Sequence, residues 1–145
     1  MRIVIQRVGK ASVSTDGKTI GTIGKGIVIL VGIAKDDTEK NAVLLARKCA
    51  KLRLFEDENE KLNLSLKDIN GEALVISQFT LYADTKKGRR PSFTEAAQYR
   101  EAKPIYENFI NVLRNESIHT ETGNFGAKML VTIQNDGPVT LILEE

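Results

Sequence analysis

Hydroxyl and amide side chains interrupt the apolar stretch 73–84 at Ser77, Gln78 and Thr80. The first half of this stretch is apolar and β-branched, which is typical of a strand buried on both faces. Alternation along the predicted strand sends Ser77 to one face and Gln78 and Thr80 to the other, so polar groups occur on both sides. Because a buried polar group without a partner is costly, these residues are either ordinary strand residues that face water or part of a functional site.

Few other residues offer catalytic chemistry. His119 is the only histidine and stands on a predicted strand edge with no cysteine nearby, so a metal site built from His and Cys is not expected. A Ser-His-Asp relay would have to use that histidine, and a satisfied or exposed histidine is the better interpretation. There is no Walker motif and no dinucleotide-binding Gly-x-Gly-x-x-Gly after a strand. Catalysis would therefore rest on hydroxyls, backbone amides and the substrate itself, without a metal or cofactor.

A basic cluster follows the stretch 73–84 directly and consists of Lys86, Lys87, Arg89 and Arg90. The formal net charge of the whole chain is only +2, so composition alone does not indicate a polyanion partner. The local concentration of positive charge is nevertheless suited to binding a phosphate. The alternative is a basic loop that is simply solvated.

A second unusual segment, 135–140, reads Asn-Asp-Gly-Pro-Val-Thr. Such residues ordinarily form a turn between two strands. The bond between Gly137 and Pro138 can also be cis, and a cis peptide would direct successive carbonyl groups to the same side. Two such acceptors, with no side chain at Gly137 to hinder approach, could bind an ammonium group.

Length and composition predict one soluble domain over residues 1–145. A hydrophobic fraction of 41% with 28% charged residues is typical of a globular protein. The N-terminus lacks the organisation of a signal peptide, and the longest apolar run, 26–34, is shorter than the ~20 residues that span a bilayer. The single cysteine, Cys49, falls on the apolar stripe of a predicted helix and is interpreted as a buried hydrophobe. We therefore expect a cytoplasmic protein with no membrane partner.

The pattern of apolar residues predicts short strands through most of the chain. In the first of them Arg7 falls on the apolar face, where it needs a carboxylate or carbonyl partner. Asp16 and Gly17 predict a tight hairpin turn because both can adopt positive φ. The predicted strands cover 1–8, 11–14, 18–23, 27–33, 73–84, 118–122, 128–134 and 139–143, with irregular short strands within 53–66.

Helical spacing appears in two regions. Asp36 resembles the start of a capping box, and the apolar spacing that follows predicts a helix over 38–52. Ser92 and Glu95 predict the start of a second helix, which Pro104 should break or kink, and a further helix is predicted from Pro104. Together these elements predict an α+β fold: a strand-rich antiparallel or barrel-like sheet with helices packed on one side.

The segments 77–81, Ser-Gln-Phe-Thr-Leu, and 135–140 together resemble the paired signatures of the D-aminoacyl-tRNA deacylases, also called D-tyrosyl-tRNA deacylases. Two separated motifs in the family's order, with matches over the full length, argue against a chance similarity. The shorter matches lie at 6–8, 11–13, 90–93 and 122–123 and at Phe125 and Met129.

The resemblance implies an enzyme that hydrolyses the ester between a D-amino acid and the 3′ end of tRNA. Its active sites would lie at the interface of a homodimer, into which Gly137 and Pro138, joined by a cis bond, would reach from the partner chain. Their carbonyl groups would bind the α-amino group, so that an L-amino acid collides with the site while D-amino acids and glycine are admitted. The implied residues are Ser77, Gln78, Phe79 and Thr80 for catalysis and Phe125, Met129, Gly137 and Pro138 for substrate binding.

Lys86 and Lys87 belong to no invariant part of the family pattern, whereas Arg90 begins the match at 90–93. We predict from its charge that the basic cluster contacts tRNA phosphates. An ester hydrolase and a non-catalytic tRNA-binding module both fit this cluster. The polar residues on a strand suited to the core favour the enzyme, since phosphate binding alone would not need them there. A general esterase lacks an evident pair of nucleophile and base, and Thr80 is left open as nucleophile, water-orienting group or part of the cavity wall.

Overall fold

The computed structural model of the protein describes residues 1–86 and 88–145. Its elements, in chain order, are β1 (Arg2–Thr15), β2 (Lys18–Ile23), β3 (Gly26–Gly32), α1 (Glu39–Lys51), β4 (Arg53–Glu56), β5 (Leu62–Ser65), β6 (Glu72–Ser77), a 3₁₀ turn (Phe79–Tyr82), α2 (Tyr99–Asn115), β7 (Thr120–Thr122) and β8 (Leu130–Glu144). Among the described residues, no helix is long and apolar enough to cross a bilayer.

The main sheet has the strand order β2-β1-β3-β6-β7, and β8 pairs along β1. The pairs that involve β1 are antiparallel, whereas β3–β6 and β6–β7 are parallel. The parallel pairing of β3 with β6 follows from the connection between them, which crosses over through α1 and the hairpin β4–β5. The predicted α+β fold with a strand-rich, barrel-like sheet is confirmed, and the sheet is mixed.

The centre of the sheet is buried on both faces. One face packs against α1 and α2, and its core includes Ile27 and Ile29 of β3 together with Phe109 of α2. The other face forms a second core, to which β3 contributes Val28 and β6 contributes Leu74. Because successive strand residues point to opposite faces, this two-sided burial explains why the run 27–33 is apolar throughout rather than alternating.

The first helix agrees with its prediction except at the cap. α1 lies within the predicted range 38–52, but its capping box is formed by Thr38 and Asn41 rather than from Asp36. Cys49 is buried on α1 as predicted, and burial raises the pKa of its thiol to about 12. The thiol is therefore protonated and behaves as a packing group.

The predicted helix start at Ser92 is wrong, and so is the prediction of a separate helix that begins at Pro104. Residues 93–96 form a turn, closed by Ala96 N–H donating to the Phe93 carbonyl at 3.1 Å. The extended segment that follows passes the end of β3, where Ala97 N–H donates to the Ile33 carbonyl at 2.9 Å. α2 begins only at Tyr99 and continues through Pro104. The proline removes one hydrogen bond, but the buried apolar face on either side of it keeps the helix on the sheet.

β8 is one continuous strand along β1, so the prediction of two strands joined by a turn is wrong. The segment between them forms a bulge instead: Gln6 pairs with Thr140 and Val8 with Asn135, and Arg7 alone opposes the residues in between. The side-chain amide of Asn135 closes the base of the bulge by donating to the Arg7 carbonyl at 3.0 Å. The strand resumes its pairing on both sides because the apolar residues of β8 still alternate there.

Arg7 fills the space beneath the bulge and is only 6% exposed. Its Nη1 donates to the Leu54 carbonyl at 2.9 Å, and its Nε lies 3.1 Å from Asp136 Oδ2. A buried guanidinium needs such partners because an unpaired buried charge is very costly. The predicted carbonyl and carboxylate partners of Arg7 are confirmed, and they join β1 to β4 and β8.

We expect Gly26→Ala to destabilise the fold, because a Cβ at this position would lie 1.9 Å from the Glu72 carbonyl oxygen on the paired strand β6. Backbone atoms cannot rotate away, so the strands must separate, which lowers the free energy of unfolding by ~1–3 kcal/mol or more. Urea denaturation measures this change. Gly9→Ala is the matched control, since nothing lies within 4 Å of its added Cβ. Equal losses in the two variants would contradict the expectation.

Candidate active site

The prediction of a strand across 73–84 is wrong for its second half. β6 ends at Ser77, and Phe79–Tyr82 form the 3₁₀ turn. Leu81 N–H closes the turn by donating to the Gln78 carbonyl at 3.2 Å. A strand continued past Ser77 would place hydroxyl and amide groups on both buried faces, whereas the turn brings these groups near water.

Two backbone donors of the turn remain available. In the described part of the chain, the N–H groups of Phe79 and Thr80 donate to no partner, as is general for the first residues of a helical turn. The Thr80 hydroxyl accepts a hydrogen bond from Gln78 Nε2. An amide that donates to this hydroxyl cannot remove its proton, so Gln78 does not activate Thr80 as a nucleophile. The turn therefore offers preorganised donors rather than an activated hydroxyl.

Arg2 and Gly32 hold the turn against the sheet. Arg2 Nη1 donates to the Leu81 carbonyl at 2.7 Å, and its guanidinium lies over the Tyr82 ring, 5.1 Å from the centroid. Burial raises the pKa of the Tyr82 hydroxyl to about 12, so this side chain stays neutral and is not a base. A Cβ at Gly32 would lie 2.9 Å from Leu81 Cβ, so glycine is what allows this close approach.

A cavity of about 410 Å³, which we call the turn cavity, opens beside the 3₁₀ turn. The sequence predicts Ser77, Gln78, Phe79 and Thr80 as catalytic and Phe125 and Met129 as substrate-binding. All of these except Thr80 line this cavity, and Thr80 lies in the adjoining 3₁₀ turn. The cavity therefore joins candidates from two distant parts of the chain, while their roles stay predictions. The rest of the lining is mainly apolar: Val31, Ile33, Ile76, Ala97, Tyr99, Ala102, Gly126, Ala127 and Val131.

Aromatic contacts fix the far wall of the turn cavity. The ring of Phe125 packs between Tyr99 and Tyr106, with centroid distances of 5.1 and 5.2 Å. Tyr106 is buried and its hydroxyl donates to the Val75 carbonyl at 2.8 Å, so α2 is tied to β6 at this level. Burial also raises the pKa of the Tyr106 hydroxyl. These contacts hold the loop before β8 in place.

Sequence reasoning misses Tyr99, Ala97 and Ala102, which line the turn cavity. Their places depend on how α2 and the extended segment before it pack, and no local pattern marks them. The one signal in the sequence was the glycine at position 126. In the structure Gly126 has φ +78°, and a Cβ there would lie 2.7 Å from Tyr99 Cε2. Such a glycine indicates a close approach, but not which residue approaches.

Gly137 and Pro138 do not line the turn cavity within one chain. They belong to the bulge opposite Arg7. Arg7 pairs with Ile27 near the start of β3, whereas the turn cavity lies beside Val31 at the other end of that strand. The Gly137–Pro138 peptide bond is cis, and Gly137 has φ +115°. A single chain therefore does not bring this predicted substrate-binding pair to the other site residues.

The basic cluster occupies a loop closed by Asp84 and Ser92, whose backbone groups exchange hydrogen bonds of 2.7 and 2.9 Å. Phe93 follows the loop and packs against Phe79 of the 3₁₀ turn, with ring centroids 5.0 Å apart. The loop is thereby tied to the mouth of the turn cavity. Lys87 lies outside the described residues. The described members of the cluster are exposed, and they are Lys86, Arg89 and Arg90.

His119 lies outside the lining of the turn cavity. It precedes β7 rather than belonging to a strand, its side chain is exposed, and Nε2 lies 3.2 Å from Oε1 of Glu121 in β7. This is the arrangement of a surface ion pair rather than of a base beside a nucleophile.

Comparison with known proteins places this geometry in a family. The family model described as D-Tyr-tRNA(Tyr) deacylase matches residues 4–144. The chain belongs to this family. The enzyme is 57% identical over 144 residues to a D-aminoacyl-tRNA deacylase of Clostridium novyi, covering 99% of this chain and 97% of that protein. It is 54% identical to the D-aminoacyl-tRNA deacylase of Thermosipho africanus with the same coverage.

Solved structures agree with the fold of the enzyme. The c-Myc DNA unwinding element binding protein superposes with a TM-score of 0.93 at 43% identity, covering 100% of this chain and 99% of that one. A probable eukaryotic D-amino acid tRNA deacylase superposes with a TM-score of 0.84 over 98% of this chain and 97% of that one. At 15% identity the second likeness shows the fold alone. The predicted family resemblance is confirmed, and with it the prediction of a hydrolase.

We expect Gly32→Ala to lower deacylase activity more than it lowers stability, because its Cβ would push Leu81 and the turn away from β3. Misplacing catalytic donors by about 1 Å can reduce kcat by roughly 100-fold. Release of D-tyrosine from D-tyrosyl-tRNA and urea denaturation would be measured on the same preparation. A folded Gly32→Ala protein with full activity would show that the position of the turn is unimportant, and Gly9→Ala again serves as the control.

Proposed function

We propose that the enzyme hydrolyses the ester that joins a D-amino acid to the 3′ end of tRNA, with the 3₁₀ turn as its catalytic element. The observation that carries the proposal is that the N–H groups of Phe79 and Thr80, on a turn that borders the turn cavity, have no partner within the described part of the chain. The cavity takes the terminal adenosine between the walls formed by Phe79, Phe125 and Met129. Its mainly apolar lining suits a base and ribose.

In the proposed reaction, water adds to the ester carbonyl carbon and the bond to the ribose oxygen breaks, releasing the free amino acid and tRNA. The N–H groups of Phe79 and Thr80 donate to the oxyanion that forms on the carbonyl oxygen, an interaction that is strongest in the transition state. The neighbouring 2′-hydroxyl of the terminal ribose helps to activate the water. The aminoacyl ester is comparatively labile, so positioning and oxyanion stabilisation supply the catalysis without an activated side chain.

Handedness is read, in this proposal, by Gly137 and Pro138 of a second copy of the chain. Their carbonyl groups accept from the α-amino group of the substrate, so that an L side chain would collide with the wall while D-amino acids and glycine fit. The positions of these residues support an intermolecular role, since within one chain they lie at the opposite end of β3 from the turn cavity. Gly137 is also exposed.

The surface of β8 supports a homodimer. This strand of 15 residues pairs only with β1 among the described strands, so its second edge is open. Leu130 and Ile142 are 70% and 65% exposed on it. A long apolar edge strand is normally covered, because it otherwise pairs indiscriminately. A second copy that covers β8 would bring the bulge of each chain towards the other.

The basic cluster contacts tRNA phosphates in this proposal. Its described members, Lys86, Arg89 and Arg90, are exposed. Phe93, which follows them, packs against Phe79 of the turn, so these cations stand where the strand carrying the ester would enter. Aminoacyl-tRNA is used in the cytoplasm, and we place the enzyme there. A non-catalytic tRNA-binding module would keep the phosphate contacts but would release no amino acid, whereas the free N–H groups of the turn favour the enzyme.

For Thr80→Ala we expect substantial retained activity, because Gln78 donates to the Thr80 hydroxyl and the oxyanion donors are backbone groups. D-aminoacyl-tRNA that ends in 2′-deoxyadenosine should lose most of its reactivity. Release of amino acid would be measured for D- and L-aminoacyl-tRNA, with free D-amino acid esters as the control. Loss of all hydrolysis in a folded, tRNA-binding Thr80→Ala protein, with an aminoacyl-enzyme trapped on the wild type, would identify Thr80 as the nucleophile instead.

Mixing two inactive variants should restore activity if each site uses two chains. Gly32→Ala impairs the cavity side, and Gly137→Ala impairs the bulge, because alanine is strained at φ +115° and its Cβ would lie 3.0 Å from Arg7 Nη2. In a mixed dimer one of the two sites has no lesion, so random exchange of subunits should recover about a quarter of the wild-type activity. No recovery despite exchange would place both residues in one chain's site.

Replacing Lys86, Lys87, Arg89 and Arg90 by alanine should weaken the binding of all tRNAs alike. Phosphate contacts position a nucleic acid without reading its bases. The slope of log affinity against log salt concentration should become less steep by ~0.7 for each single-strand phosphate contact that is lost. An unchanged slope would remove the basic cluster from the interface, and Lys18→Ala, an exposed lysine outside the cluster, is the control.

A further inference from the structure

A second cavity, of about 530 Å³, lies between α2 and the loop before β8. We call it the α2 cavity. It and the turn cavity share the residues Tyr99, Phe125 and Ala127 in their linings. A ligand that fills the turn cavity can therefore continue into the α2 cavity past this common wall.

The lining of the α2 cavity is polar where that of the turn cavity is apolar. It includes the cations Lys103 and Arg114 and the amides Asn111 and Asn124. Arg114 is already engaged, since its Nη2 donates to the Thr120 carbonyl at 3.1 Å. Lys103 is exposed, and among the described residues the one salt bridge it forms is with Glu107, at 3.8 Å one helical turn away. Exposed pairs of this kind are weak, so Lys103 can exchange Glu107 for a phosphate.

Tyr99 presents an aromatic surface at the boundary of the two cavities. It is 55% exposed, and its ring packs edge-on against Phe125. Gly126 allows this position, because any side chain there would meet the Tyr99 ring. Lys103 follows Tyr99 by four residues on α2, so the two side chains share one face of the helix. An exposed ring beside an exposed cation is the arrangement that binds single-stranded nucleic acid.

We propose that the α2 cavity binds the penultimate nucleotide of the tRNA 3′ strand, with its base stacked on Tyr99 and the phosphate that joins it to the terminal adenosine held by Lys103. The inference rests on the proposed function, in which the turn cavity takes the terminal adenosine. The strand must then leave that cavity on the 5′ side of the ribose. Because the two cavities share a wall, the strand that leaves the turn cavity reaches Tyr99 and Lys103 with its next base and phosphate.

The negative charge of Glu107 allows a test in which two substitutions should change phosphate binding in opposite directions. Glu107 also lines the α2 cavity and would repel the phosphate. Glu107→Gln should therefore strengthen the contact that Lys103→Ala weakens. If the pair only stabilised α2, both substitutions would remove the same salt bridge and change the contact in the same direction.

The test compares kcat/KM for two minimal substrates, the D-tyrosyl esters of adenosine and of the dinucleotide cytidylyl-adenosine. For the wild type we expect the dinucleotide ester to be about tenfold better, the effect that stacking of one base on an aromatic ring commonly has. Tyr99→Ala and Lys103→Ala should each reduce this ratio severalfold, whereas Tyr99→Phe should preserve it and Glu107→Gln should raise it. Lys18→Ala, which lines neither cavity, should leave it as in the wild type.

Calorimetric titration of the same variants with adenosine and with cytidylyl-adenosine measures binding independently of hydrolysis. The dinucleotide should bind about tenfold more tightly than adenosine to the wild type and lose that advantage in Lys103→Ala and Tyr99→Ala. A ratio near one in the wild type, or one that none of the α2 variants changes, overturns the inference. Absence of hydrolysis of both esters and of D-tyrosyl-tRNA would instead overturn the proposed function, while the titration still decides this site.

Discussion

The hydrogen bond from Gln78 N–H to the Val31 carbonyl, at 2.7 Å, is the contact on which the candidate site depends. It extends the parallel pairing of β3 and β6 by one residue, after which the chain leaves the sheet as the 3₁₀ turn. Because β3 and β6 are buried on both faces, their ends are rigidly placed. The donors of Phe79 and Thr80 are therefore positioned by the centre of the sheet rather than by a mobile loop.

The same burial explains where the cavities form. The two cores end where β3 and β6 end. The segment before α2 covers the end of β3 through the hydrogen bond from Ala97 N–H to the Ile33 carbonyl. α2 then brings Tyr99 and Tyr106 against Phe125, so the loop before β8 becomes a wall rather than a free connection. A hydrophobic site with a few convergent polar groups results, which is the usual composition of a ligand cavity.

The bulge in β8 is a separate consequence of a buried charge. Arg7 cannot be buried without partners, and the looped-out backbone and side chain of Asp136 supply them together with the Leu54 carbonyl. The bulge lets β8 continue along β1 while Gly137 and Pro138 project from its exposed side. The strand that completes the sheet thus also carries the residues to which we assign the reading of handedness.

The sequence by itself determined the family, the α+β class, the hairpin at Asp16 and Gly17, the buried strand 27–33 and the need of Arg7 for partners. These follow from local turn chemistry, apolar periodicity and motif order, all of which are properties of neighbouring residues. It also indicated Ser77, Gln78 and Thr80 as unusual, although it predicted all three on a strand.

Only the tertiary structure decided that this strand turns after Ser77, that α2 starts at Tyr99 and passes through Pro104, and that β8 bulges instead of turning. In each case long-range burial outweighs local preference: the turn keeps polar groups out of two cores, and the apolar face of α2 outweighs one lost hydrogen bond. The place of Tyr99 between two cavities depends on contacts with Phe125 and Gly126, more than 20 residues away in the chain. No local pattern encodes such a contact.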